Sequence, residues 1–160
     1  FIDAGHSTTI YNGECVKISS GYVVGGNGSA ANIVGVLNGI FFNAADTLKP
    51  TFSNFYKATI TPANSEDTVA FVMDDPFQQY VVSSDAARTQ AQFLATYDMN
   101  SSAGSDTTGK SSSTLDTSET SADGKQFRLI RSAEDPENED ITAAFFSGIV
   151  VSNLNSYNQV

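Results

Sequence analysis

Apolar residues in this chain come in short runs, each cut off within about ten residues by glycine, proline, asparagine or an acidic cluster. That punctuation suits strands and tight turns. Helices need longer stretches at a 3.6-residue period. Segments 15–18 (CVKI) and 21–24 (GYVV) read as strands leading into a turn at 25–29 (GGNGS), where Gly and Asn accept positive φ. Segment 33–42 (IVGVLNGIFF) has the continuous apolar character of a buried strand, with Gly35 or Gly39 placed for a bulge or bend. Segment 55–61 alternates, setting Tyr56, Ala58 and Ile60 against Lys57, Thr59 and Thr61. Segments 68–73 (TVAFVM) and 77–83 (FQQYVVS) are strands parted by Asp74-Asp75-Pro76, because proline donates nothing to a ladder. Segments 126–133 and 143–154 complete the set, the last with Gly148 at its centre, and 93–99 reads as a further strand or as the end of a helix. One short helix fits at 85–92, capped by Ser84 or Asp85, with Ala87, Ala91 and Leu94 at helical spacing.

The expected class is therefore mainly β: a small antiparallel β-barrel or sandwich of about seven to nine short strands, with long loops and at most one short helix. At 160 residues the chain is long enough for one core and short enough to need only one. It divides into an N-terminal arm, 1–14, and a single β-rich domain, 15–160. The domain carries a long polar loop at 101–125, where Ser, Thr, Asp and Gly dominate.

Charge narrows the range of partners. Eight Lys and Arg stand against eighteen Asp and Glu, a net charge of −10. Nucleic acid and anionic membrane surfaces both call for clustered basic residues, which are absent here. The single cysteine, Cys15, allows no internal disulfide. No apolar run reaches the ~18 residues of a membrane-spanning helix. The opening residues do not read as a secretory leader, and a start at Phe1 in place of Met leaves room for processing.

Catalytic constellations fail one by one. A nucleophile needs a base, and the one histidine is His6, near the start. Cys15 sits in a strand pattern, the setting of an inert buried thiol. Asp74 and Asp75, being adjacent, would point to opposite faces of a strand and cannot act together. Residues 104–111 (GSDTTGKS) fit the written pattern of a phosphate loop. They lack the apolar strand before it and the helix after it that make such a loop work. Glu134, Asp135, Glu137, Glu139 and Asp140 crowd one turn; it reads as a solvated turn, a weak cation site or a partner contact. No cofactor motif emerges, and the chain reads as a non-enzyme.

Six pieces, taken in order, carry a resemblance: IVGVLNGIFF (33–42), FYKATIT (55–61), VAFVMDDPFQQYVV (69–82), TTGKSSSTLDTSE (107–119), QFRLIRSAEDPENED (126–140) and FFSGIVVSNLN (145–155). Together, over about 33–155, the chain resembles the small capsid decoration, or cement, proteins of marine (cyanophage-type) tailed phages. The resemblance implies a barrel-like β-domain on the outer surface of an icosahedral virion. It implies the major capsid protein as partner, a homotrimer at local three-fold positions, and no catalytic or cofactor-binding residues. Expected shell contacts are Phe1 and Ile2, in a docking arm (1–9) dispensable for folding, and Glu134, Asp135, Glu137, Glu139 and Asp140 in a salt-sensitive contact. Phenylalanines 41, 42, 52, 55, 145 and 146 divide between core and interface. The alternative is a head fibre or host-surface glycan adhesin, with Tyr97 and Tyr157 as stacking residues.

Overall fold

Among the described residues, ten strands form two five-stranded antiparallel sheets that pack as a β-sandwich; neither closes into a barrel. The computed structural model describes residues 1–28, 32–100, 104–121 and 124–157, with the backbone alone at 119–121. The first sheet holds β1 (Cys15–Ser19), β2 (Tyr22–Gly25), β3 (Gly35–Asn43), β4 (Pro50–Ser53) and β5 (Val69–Met73). Its long central strand, β3, pairs along one edge with β1 and then β4, and along the other with β5. The second sheet runs β6-β10-β9-β7-β8, built from β6 (Gln79–Ser83), β7 (Thr96–Met99), β8 (Leu115–Ser121), β9 (Phe127–Ser132) and β10 (Ser147–Ser152).

Alternation along β1 and β3 sends side chains to two separate cores. Cys15 and Val36 face the second sheet and pack with Tyr97, Leu115, Leu129 and Val150. Their neighbours Val16 and Leu37, with Ile40, face the other way and pack with Ile2, Ile10 and Tyr56. The first parts of β1 and β3 are thus buried on both faces, which accounts for the unbroken apolar run in β3.

The cover over its outer face is the segment expected to be a free arm. Ile2 and Ile10 are fully buried. Ile2 exchanges two backbone hydrogen bonds with Thr68 (2.8 and 2.9 Å), and Ile10 exchanges two with Tyr56 (both 2.9 Å). The Tyr56 hydroxyl donates to the His6 carbonyl at 2.9 Å. The boundary expected at residue 14 therefore has no physical counterpart: residues 1–10 are a layer of the domain.

Three further expectations are corrected. Segment 55–61 forms no strand; Tyr56 makes a single bridge, and with Ile60 it presses down on the first sheet. Segment 85–92 is not a helix but a 3₁₀ turn at Gln90–Gln92, closed by the Thr89 N–H donating to Gln92 Oε1 at 2.9 Å. Ala87, Ala91 and Leu94 are exposed, so there is no apolar face to hold a helix down; the buried residue is Arg88, its guanidinium 4.5 Å from the centre of the Tyr97 ring. The polar tract 101–125 contains β8, which adds to the edge of the second sheet beside β7. Leu115 anchors it in the core, and the threonines that made the tract look loop-like are good strand residues.

Two glycines are required by close approach. A Cβ on Gly35 would lie 2.0 Å from the Met73 carbonyl oxygen, and one on Gly39 would lie 2.9 Å from the Phe52 ring. The expected irregularity in this strand is present as a bulge between Leu37 and Gly39.

The sheets are also joined by a buried polar side chain. Gln126, fully buried just before β9, donates from Nε2 to the Gly26 carbonyl at 2.6 Å and accepts the Met99 N–H at 3.0 Å. Its own N–H donates to Asp98, whose carboxylate also takes Lys125 at 3.0 Å. Gln126→Leu is expected to strand two buried backbone groups and lower the unfolding free energy by about 2–5 kcal/mol. Urea titration checks this; a loss under about 0.5 kcal/mol would show that Gln126 merely fills space.

Candidate functional site

Cross-strand pairing places a row of large apolar side chains on the inner face of the first sheet, beyond the part that the second sheet covers. Phe41 lies between Phe52 on β4 and Val69 on β5; one step along, Phe71 is opposite Gly39, and then Met73 is opposite Val36. Val36 is buried, whereas Phe52, Phe71 and Met73 are 65%, 45% and 38% exposed. The Phe52 and Phe71 rings meet at 5.8 Å, inclined by 39°. They can lie this close to the sheet because Gly39 has no side chain to lift them. Phe1, 65% exposed, borders the row along a shallow recess shared with Phe41 and Val69.

Such a face is unusual for an acidic chain. Isolated surface phenylalanines are ordinary, but a contiguous aromatic patch marks a surface that is covered in use. Its residues carry no general acid, base or nucleophile, so the patch can bind and bury but cannot catalyse.

The residues singled out from sequence lie elsewhere or act otherwise. Ile2 is a core residue and cannot contact a shell; Phe1 beside it is exposed. The acidic turn is exposed and organised by its own hydrogen bonds. Asp135 accepts from Asn138 Nδ2 and the Glu137 N–H, both at 3.2 Å, and Asp140 accepts from the Thr142 hydroxyl at 2.7 Å and its N–H at 2.9 Å. These bonds hold both carboxyls below the usual carboxylate range. Glu134 pairs with Arg131 at 3.3 Å in the open, an arrangement worth little to stability. Glu137 and Glu139 are exposed. Among the described residues no group of three His, Cys, Asp or Glu side chains is arranged to hold a metal ion.

Asp75 caps a turn by accepting the Phe77 N–H at 2.8 Å, while Asp74 accepts the Tyr157 hydroxyl at 3.1 Å. Residues 104–111 close on themselves, with the Ser105 N–H donating to the Lys110 carbonyl at 2.9 Å, and they lead into β8 with no helix. Tyr97 is fully buried and donates to the Gln92 carbonyl at 2.9 Å, so it cannot stack on a glycan; Tyr157 is exposed. Burial, and then the charges of Glu14 and Asp98, push the Cys15 thiol well above its ordinary value, which removes it as a nucleophile.

His6 stands against Tyr56, ring centres 5.5 Å apart, with a buried Nε2 that has no hydrogen-bond partner. Burial lowers its pKa from 6.5, against an opposing pull from Asp3. The folded state therefore prefers the neutral ring. Its contribution to stability is complete above pH 6.5 and is lost as the pH falls below that value. His6→Gln is expected to flatten the loss of thermal stability just below pH 6.5, measured alongside the parent protein; equal slopes would show that His6 is not the titrating group.

Comparison of the chain with protein-family models, with curated proteins and with solved structures found no match.

Phe41 and Phe52 are among the phenylalanines expected to divide between core and interface, but Phe71 and Met73 escaped sequence reading because 68–73 looks like any buried strand. A partial signal was present: Phe41, Phe52 and Phe71 exceed what one face of a short strand pair needs for its core.

Proposed function

We propose that this chain is a structural protein of a virion exterior, a decoration protein that binds the outer surface of an icosahedral capsid at subunit junctions and stabilises it there. The observation that carries the reading is the uncovered Phe41–Phe52–Phe71–Met73 face, which needs a partner to bury it. The ordered resemblance of 33–155 to phage cement proteins points to the major capsid protein as that partner. Three copies around each local three-fold position fit the same reading, and repetition over a shell supplies avidity even where one contact is modest.

Docking through an aromatic face has a different salt signature from docking through the acidic turn. Apolar burial is insensitive to ionic strength, whereas exposed charge pairs are screened over ~10 Å at 0.1 M salt. Co-sedimentation with undecorated shells at low and high salt tests this. Retention at high salt is expected; release at high salt would move the contact to Glu134–Asp140, and absence of binding at either salt would reject the decoration role.

A further inference from the structure

Between the two sheets, on the side where 104–113 meets the start of β1, lies a cleft of about 420 Å³. Its depth is apolar, formed by Cys15 and Val36 of the first sheet and Met99, Tyr80 and Phe127 of the second. Its rim is polar and includes Asn12, Lys110 and Ser111. The rim is built rather than incidental: the Asn12 N–H donates to the Gly109 carbonyl at 2.8 Å, and the Ser111 N–H donates to the Asn12 carbonyl at 2.9 Å, which fixes the loop against β1. Gly109, at φ +70°, permits the turn, and a Cβ there would lie 2.5 Å from the Phe55 ring.

Lys110 is the informative residue. In a chain with ten excess negative charges, it stands exposed at the rim of this cleft and forms no ion pair among the described residues. Lys57, Lys125 and Arg131 pair with Asp106, Asp98 and Glu134, whereas Lys49, exposed and also without an ion pair among the described residues, does not line the cleft. A cleft of this size, whose lining mixes apolar and polar groups in about equal measure, suits a small amphipathic molecule.

We propose that the cleft binds an amphipathic carboxylate, its slender apolar body between the sheets and its carboxylate at Lys110. The Gly-Lys-Ser sequence that resembles a phosphate loop then has a different use: it places Lys110 at the rim of the cleft. This site is separate from the aromatic face and does not depend on what that face docks against.

The chain's two methionines provide the test, because Met99 lines the cleft and Met73 lies on the aromatic face. The protein is labelled with ¹³C-methyl methionine, its two signals are assigned with Met73→Leu, and sodium decanoate is titrated. The Met99 signal is expected to shift saturably while Met73 stays fixed. Lys110→Glu should weaken binding about tenfold or more, and Lys110→Arg should restore it. Decylammonium, with the same body and the opposite charge, should leave Met99 unmoved. The proposal is overturned if decanoate moves Met73 alone or neither signal, if Lys110→Glu binds as the parent does, or if decylammonium binds equally well. Phe52→Ser/Phe71→Ser, which removes the docking face, should leave the decanoate titration unchanged, so failure of either idea is visible without the other.

Discussion

Deleting residues 1–9 is expected to abolish cooperative folding. The segment reads as a dispensable arm in sequence, but in the structure it roofs the outer face of the first sheet. Removing it takes away fully buried Ile2 and opens the core that Ile2 shares with Val16, Leu37 and Ile40, leaving Ile10 and Tyr56 as partial cover. Truncating one buried isoleucine costs about 2–5 kcal/mol. Losing Ile2 together with its paired backbone bonds at Thr68 and the His6 carbonyl that accepts from Tyr56 approaches the ~5–15 kcal/mol total stability of a domain. The measurement is thermal unfolding followed by circular dichroism, with Ile2→Ala as a milder companion expected to unfold cooperatively at a lower temperature. A deletion variant that melts like the parent would show that the roof is an accessory.

Replacing Phe52 and Phe71 together by serine is expected to leave the fold intact and to abolish docking. Phe52 is 65% and Phe71 45% exposed on β4 and β5, and neither belongs to the two buried cores, so their removal leaves the fold in place. In a docked state they would be central aromatic anchors, each worth about 2 kcal/mol or more. Two such losses lower shell affinity by roughly a thousandfold. The expected pattern in co-sedimentation with undecorated shells is parent-like melting with no retention. Parent-like retention would place the contact on another surface.

What could be read from sequence followed the physics of each segment. The strands at β1, β2, β5, β6 and β9 were legible because alternation and Gly, Pro or Asp boundaries coincide there. An irregularity at Gly35 or Gly39 was recognisable because a glycine inside an apolar strand often marks a bulge or bend, but sequence did not tell which of the two carries it. β8 was missed because its hydroxyl-rich composition matches that of a loop; only pairing with β7 distinguishes the two, and pairing is not local. The arm was misread for a related reason. Ile2 and Ile10 are isolated in polar sequence, and nothing local reveals that both fall on the same face of a sheet formed later in the chain. The short helix at 85–92 failed because its alanine spacing had no apolar surface behind it. The aromatic face was legible only in part: Phe41 and Phe52 stood among the phenylalanines divided between core and interface, while Phe71 and Met73 obey the strand pattern fully, and only the limited reach of the second sheet leaves them uncovered.

The most direct measurement is cryo-electron microscopy of capsids decorated with this protein, refined far enough to place the β3–β5 face. The expected result is density at every equivalent subunit junction, with Phe41, Phe52, Phe71 and Met73 turned onto the shell. Density restricted to one vertex or to the tail, or an aromatic face turned to solvent, would contradict it.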